Sequence, residues 1–164
     1  MAKTYLTAER VRSVFTYDKD TGDFLRNVTG HGVPIYPKKV GVTMDNGYRY
    51  IHIDMRAVRA HRLAWLYVTG EWPSNCIDHI NGDKSDNRFS NLRHVTSKTN
   101  AENRRNPKAT ASSGYIGVSR DRNKWRATIV SNGKQKHIGS FSTAEDAAEA
   151  YIAEKRRTHY GCTI

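Results

Sequence analysis

CIDHINGDKSDNRFSNLRHVTSKTNAENRR, residues 76–105, decides how the chain is read. With Asn75 and Asn106 at its edges counted, it holds seven of the chain's eleven asparagines. Asp78 and His79 are adjacent and follow the apolar Ile77, and Asn81-Gly82-Asp83 is a turn sequence that sends the chain back as a hairpin. The returning arm is NLRHVT, residues 91–96, and SKTNAENRRN after it has the spacing of a short exposed helix with Ser97 as N-cap. A hairpin followed by a helix brings Asn100 back towards Asp78.

These residue types suit phosphodiester hydrolysis. That reaction needs a water made nucleophilic, a cation to absorb charge on the phosphate, and stabilisation of the leaving oxygen. A neutral histidine takes a proton near pH 7, and a carboxylate with an amide oxygen is a hard-oxygen set suited to Mg²⁺. One carboxylate makes a weak site alone, so metal is expected to bind tightly only once DNA phosphate completes the shell. The plain alternative is a strand-end pair in which Asp78 simply holds His79 and the asparagines only form turns. From residue types alone that alternative is the default, because short polar motifs recur by chance.

Upstream, LTAERVRSVF reads as a short helix capped by Thr7, and YDKDTGDFLRN as a turn entering a strand. KVGVTMDNGYRYIHIDMRAV alternates branched and aromatic residues around Asp45-Asn46-Gly47, a hairpin signal. AHRLAWLYVTG reads as a buried helix stopped by Gly70, with Trp65 in the core and Trp72 packed beside Pro73. His61 heads that helix, either touching DNA or, as the favoured reading, capping the hairpin, and His52 is an exposed strand residue. Downstream, NPKATASSG reads as a linker.

Beyond the linker, Tyr115 to Arg120, Lys124 to Ser131 and Gln135 to Phe141 are strand-like runs forming a three-stranded antiparallel sheet. STAEDAAEAYIAEKRRTHY then predicts a helix, with Ser142 and Glu145 in capping-box spacing, acids first and Lys155-Arg156-Arg157 last. Ala144, Ala147, Ala148, Tyr151 and Ile152 give it a flat face for the sheet.

Charge supports two modules. Residues 1–103 carry 15 Lys/Arg against 11 Asp/Glu, whereas residues 104–137 carry nine against the single acid Asp121. A pI near 9.8 with so concentrated a basic block points to a polyanionic partner, of which nucleic acid is the commonest. Cys76 and Cys162 form no CxxC pair, which suggests neither a disulfide framework nor a zinc ribbon. With no long apolar run and no signal-peptide core, the expectation is a soluble cytoplasmic protein without membrane attachment.

DHINGDKSDNRFSNLRHVTSKTNAENRR resembles the ββα-metal motif of phage and intron-encoded HNH nucleases, in the subgroup whose later histidines are replaced by asparagine. YDKDTGDF, GYRYIHID and HRLAWLYVTGEWP are similar to that subgroup's upstream segments, so the resemblance covers roughly residues 5–106. It implies His79 as general base, Asp78 as first metal ligand, Asn91 as brace of the loop carrying the base, and Asn100 as second ligand, with Asn103 a weaker substitute. Asn81 and Asn87 remain turn residues. Arg93, beside the brace, is added as a catalytic candidate that reaches the scissile phosphate or its leaving side. With Asn in place of a His ligand, zinc loses its preferred nitrogen donor, whereas Mg²⁺, or Mn²⁺ in its place, does not; no structural zinc is expected.

The tail from Ser112 to about residue 160 resembles the Apetala/ethylene-response-factor (ERF) type of DNA-binding domain, through GVSRDRNKWRA and IGSFSTAEDAAEAY. In that family the sheet enters the major groove, which here implies Arg120, Arg122, Lys124, Trp125, Arg126, Lys134 and Lys136 as contacts. Trp125 has a competing role as a core residue under the helix. Arg104 and Arg105, at the head of the basic block, join the candidate contacts.

The expected protein is α+β. A ββα-metal HNH nuclease domain at 1–106 is followed by a linker at 107–113 and a βββα DNA-binding domain at 114–164. The expected activity is metal-dependent hydrolysis in double-stranded DNA by a homing-type endonuclease, nicking one strand as a monomer and using no small-molecule cofactor. A phage-encoded chain would act in the host cytoplasm. The rivals are a DNA-binding regulator that keeps the HNH scaffold without catalysis, and an RNA-acting nuclease.

Overall fold

A computed structural model describes residues 6–27, 38–103, 113–131 and 133–159. The chain gathers into two compact units, Met1–Val95 and Thr96–Ile164. Each has its own hydrophobic core. Of the expected linker, only Ser113 is among the described residues, and Arg104 and Arg105 lie outside them. Among the described residues no helix is long and apolar enough to cross a membrane.

The first unit opens with α1 (Ala8–Val14), whose start is set by Thr7 accepting a hydrogen bond from the Arg10 amide at 3.2 Å. The chain then extends at once into β1 (Phe15–Tyr17), which pairs antiparallel with β2 (Phe24–Arg26) and through it with β3 (Lys38–Val40). Alternation on β1 buries Phe15 and Tyr17 and exposes Thr16. A second sheet joins β4 (Val42–Thr43), β5 (Arg49–Ile53) and β6 (Arg56–Arg59). The Asp45-Asn46-Gly47 turn links β4 to β5, with Gly47 at φ 82°. A tighter turn at Asp54-Met55 links β5 to β6.

Helix α2 (Ala60–Thr69) follows β6 directly and ends at Gly70, in the left-handed region. It buries Ala60, His61, Leu63, Ala64 and Leu66 against Phe15, Phe24 and Ile51. Each large apolar side chain buried there contributes about 1.5–3 kcal/mol. On this base sits a two-stranded hairpin, β7 (Cys76–His79) with β8 (Leu92–Val95), anchored by Ile77 and Leu92.

The second unit holds α3 (Ser97–Glu102), followed by an antiparallel sheet of β9 (Val118–Asp121), β10 (Lys124–Ser131) and β11 (Lys134–Phe141), and then α4 (Ala144–Thr158). Ala144, Ala147, Ala148 and Tyr151 of α4 pack on Val118, Ala127 and Ile129 of the sheet. Gly117, at φ +70°, lets the Tyr151 ring close on the backbone, since a Cβ there would lie 2.2 Å from the ring.

Two expected caps shift by one residue. Thr96, not Ser97, caps α3 by accepting from the Thr99 amide at 3.1 Å, and Thr143, not Ser142, caps α4 by accepting from the Asp146 amide at 3.1 Å. In both cases two hydroxyl residues are adjacent, and the cap falls to the one whose extended backbone directly precedes the first helical residue, so that its side chain reaches the amide three residues on.

Candidate nuclease site

Strand alternation sets the site's first feature. On β7 the pattern buries Ile77 and His79 and leaves Cys76 and Asp78 half-buried, so the adjacent Asp78 and His79 point to opposite sides. His79 is 5% exposed and is held from within the protein.

The loop between β7 and β8 is closed by asparagines. Asn91 accepts from the Asn81 amide at 3.0 Å through Oδ1, and its Nδ2 donates to Asn81 Oδ1 at 3.0 Å and to the Asp86 carbonyl at 2.9 Å. The Asp86 carboxylate receives Asn81 Nδ2 and the Arg88 guanidinium, and the Arg88 bonds draw it down to about 2.

Asn87, expected from sequence only to shape a turn, is the residue that touches the imidazole. It is buried, and its Oδ1 lies 3.3 Å from His79 Nε2. Its Nδ2 donates to the Ser85 carbonyl at 2.8 Å, which fixes which end of the amide faces the ring. An amide oxygen only accepts, so Nε2 carries the proton and Nδ1 keeps the lone pair. Burial draws His79 below the ordinary histidine value, against an upward pull from the Asn87 bond and from Asp78, Asp83 and Asp86. The imidazole is therefore neutral near pH 7, as a base must be.

Residues distant in sequence support Asn87. Tyr17 donates its hydroxyl to the Asn87 carbonyl at 2.7 Å, and the Phe89 amide donates to the Lys19 carbonyl at 3.2 Å. Gly22 (φ +75°) presses on the same backbone, where a Cβ would come within 2.4 Å of Arg88 N. The YDKDTGDF segment is thus the floor of the loop. Behind His79 stands His61, its ring 5.0 Å away edge-to-face, and Tyr48 lies 5.3 Å from His61 and 6.2 Å from His79. Burial, then the charges of His79, Arg59 and Arg62, draw His61 down to about 3. It stays neutral, and its Nδ1 is buried without a hydrogen-bond partner.

Asp78 faces Arg93 across the hairpin, and its Oδ2 accepts from Arg93 Nε at 3.1 Å and Nη2 at 2.8 Å. Both side chains are largely covered, 18% and 23% exposed. The structure thus brings Asp78, His79, Asn91 and Arg93 together in the first unit. Asn100 lies on α3 of the second. Among the described residues no group of three or more His, Cys, Asp or Glu could hold a metal ion. The carboxylate at Asp78 fits a hard cation that keeps its waters and takes phosphate oxygen as ligand, not a closed zinc site.

In the second unit the candidate DNA contacts fall on two faces of the sheet. Trp125 packs against the helix-side core, with the Arg120 guanidinium 5.3 Å over its ring. Lys136 is opposite the buried Ile129 and pairs with Glu154 of α4 at 2.9 Å. Lys124 and Arg126 are exposed on the other face, where Arg126 pairs with Asp121. Arg122 (φ 54°) forms the β9–β10 turn, and Lys134 begins β11.

A family model described as HNH endonuclease matches residues 58–102. Protein 3.8 of Escherichia phage T7 is 34% identical over 109 residues, covering 65% of this chain and 88% of that protein. An uncharacterized HNH endonuclease, L560, of Acanthamoeba polyphaga mimivirus is 32% identical over 121 residues, 72% of this chain and 62% of that protein. An AP2-like ethylene-responsive transcription factor, CRL5, of Oryza sativa subsp. japonica is 33% identical over 123 residues, 70% of this chain but 18% of that protein. No solved structure gives a significant match. Residues 58–102, which carry the strand-end Asp78-His79 pair and the asparagine-closed loop, thus match an HNH endonuclease domain, a class of enzymes in general divalent-metal dependent.

Proposed function

We propose that the protein hydrolyses phosphodiester bonds in double-stranded DNA as a homing-type endonuclease, nicking one strand as a monomer. The observation that carries this reading is the buried, neutral His79, whose Nε2 is held by Asn87 so that Nδ1 retains its lone pair. In the proposed reaction His79 Nδ1 takes the proton of the attacking water while the P–O bond to the leaving oxygen breaks. A bound Mg²⁺, with Mn²⁺ as substitute, would neutralise charge on the phosphate and the leaving oxygen. Asp78 is its proposed first ligand and, on the family resemblance, Asn100 its second. In this reading Asn91 holds the loop, and Arg93 exchanges its bond to Asp78 for one to phosphate.

The second unit is proposed to hold the duplex through its sheet, in the manner of ERF-type domains. Lys124 and Arg126 are the leading contacts, and Arg104, Arg105, Arg120, Arg122, Lys134 and Lys136 add positive charge. Trp125 is better explained as core.

Nicking of supercoiled plasmid in Mg²⁺ tests the reading. Wild type is expected to yield open circles, and His79→Ala to lose about 10²–10⁴-fold in rate. An unchanged rate in that variant would remove His79 from the chemistry, and matched DNA and RNA duplexes decide the substrate.

A further inference from the structure

Two exposed cations, Arg59 and Lys84, stand near His79, and neither forms a salt bridge among the described residues. The Arg59 guanidinium lies 4.7 Å from the centre of the Tyr48 ring, and Lys84 Nζ lies 4.8 Å from the same centre. Each is also tied down. Arg59 Nε donates to the Tyr50 hydroxyl at 3.1 Å, and Lys84 Nζ donates to the Asn46 carbonyl at 2.9 Å. The other arginines around the site are engaged otherwise: Arg49 pairs with Asp23, Arg88 with Asp86 and Arg93 with Asp78, and Arg62 donates to two backbone carbonyls.

The placement is specific. Arg59 ends β6 and Lys84 lies in the β7–β8 loop, so two elements distant in sequence deliver one charge each to one aromatic ring. That ring is 6.2 Å from His79. Cation–π contacts hold the charged groups in place while leaving their outward N–H donors available. A held, solvent-facing pair of cations loses little ordering entropy when an anion arrives. With a rise of about 3.4 Å per nucleotide, both cations fall within about three nucleotides of a phosphate at the imidazole.

We propose that Arg59 and Lys84, mounted on Tyr48, form a phosphate clamp that grips the strand being cut beside the scissile position. The clamp rests on the nuclease reading for its ligand, but it makes a separate demand on binding. It accounts for Tyr48 lying against both histidines: the ring that positions the clamp also packs against the base, which fixes the distance between gripped phosphate and proton acceptor.

The test is duplex DNA binding by the full chain, followed by fluorescence anisotropy across a salt series in EDTA, with single-turnover plasmid nicking in Mg²⁺ alongside. Arg59→Gln with Lys84→Gln is expected to reduce the slope of log Kobs against log salt by about 1.8, at about 0.9 for each phosphate left without its cation, and to slow nicking. Tyr48→Leu, which keeps both charges but removes their mount, is expected to retain most of the slope and lose at least tenfold in nicking at saturating DNA. An unchanged slope in the double variant, or wild-type nicking by Tyr48→Leu, would overturn the clamp. His79→Ala separates the two claims, because it is expected to lose nicking with the full salt slope kept. If wild type fails to nick, the nuclease reading falls while the slopes still decide the clamp.

Discussion

Asn87 shows how one side chain sets the chemistry of another. Its amide is oriented by Ser85, its backbone is held by Tyr17, and its oxygen settles the tautomer of His79. On the proposed mechanism His79 works as a base only when neutral, so activity should fall as pH drops through its pKa, which burial holds below the ordinary histidine value. Replacing Asn87 with Asp keeps the shape but puts a carboxylate against the Nε2 proton. That stabilises the imidazolium, raises the His79 pKa, and should move the acidic limb of the pH–rate profile to higher pH by about one unit or more. A limb that stays put in Asn87→Asp would mean that Nε2 does not face residue 87 in the working enzyme.

At the scale of the element, the β5–β6 hairpin carries a conformational cost. Its two turn residues, Asp54 (φ 47°) and Met55 (φ 60°), are both left-handed, as a two-residue turn of this kind requires, though neither is glycine. Met55 is 98% exposed and so gains no burial in return. Asp54 is held by Arg10 of α1, with Nη2 to Oδ1 at 2.8 Å and Nε to Oδ2 at 3.1 Å. Met55→Gly should therefore stabilise the protein by about 0.5–1 kcal/mol, the relief of left-handed strain less the chain entropy that glycine adds. Thermal denaturation reads this as a rise in Tm, and a fall would show that the Met55 side chain makes an interaction that compensates its backbone.

At the scale of the molecule, the proposed function has a formal charge of +11 act on DNA through both units. On the sheet of the second unit, Asp121 pairs with Arg126 and is opposite Lys124, so it cancels part of the positive charge on that face. Asp121→Asn is then expected to tighten duplex binding several-fold at low salt and to steepen the salt dependence by up to about 0.9 in slope. Unaltered affinity would mean that DNA does not use this face.

Much of this protein was legible in sequence because its signals are local. Thr7 before an apolar repeat, Gly70 after one, Asn-Gly between alternating runs, and acids ahead of bases on α4 each act within a few residues. The Asp78-His79 pair at a strand end and the Asn91 bonds that close the loop after it belong to the same class. What sequence could not supply was the set of partners brought by chain segments far away. No pattern in YDKDTGDF announces that Tyr17 and Gly22 will support Asn87, and nothing around His61 or Tyr48 announces a ring stack behind His79. By itself the sequence determined most of the elements and the family motif, which rest on short-range hydrogen bonding and periodicity. Only tertiary structure decided which nitrogen of His79 holds the proton, that Asp78 is bound by Arg93, and which cations gather on Tyr48, because each depends on burial and on groups converging from separate strands and loops.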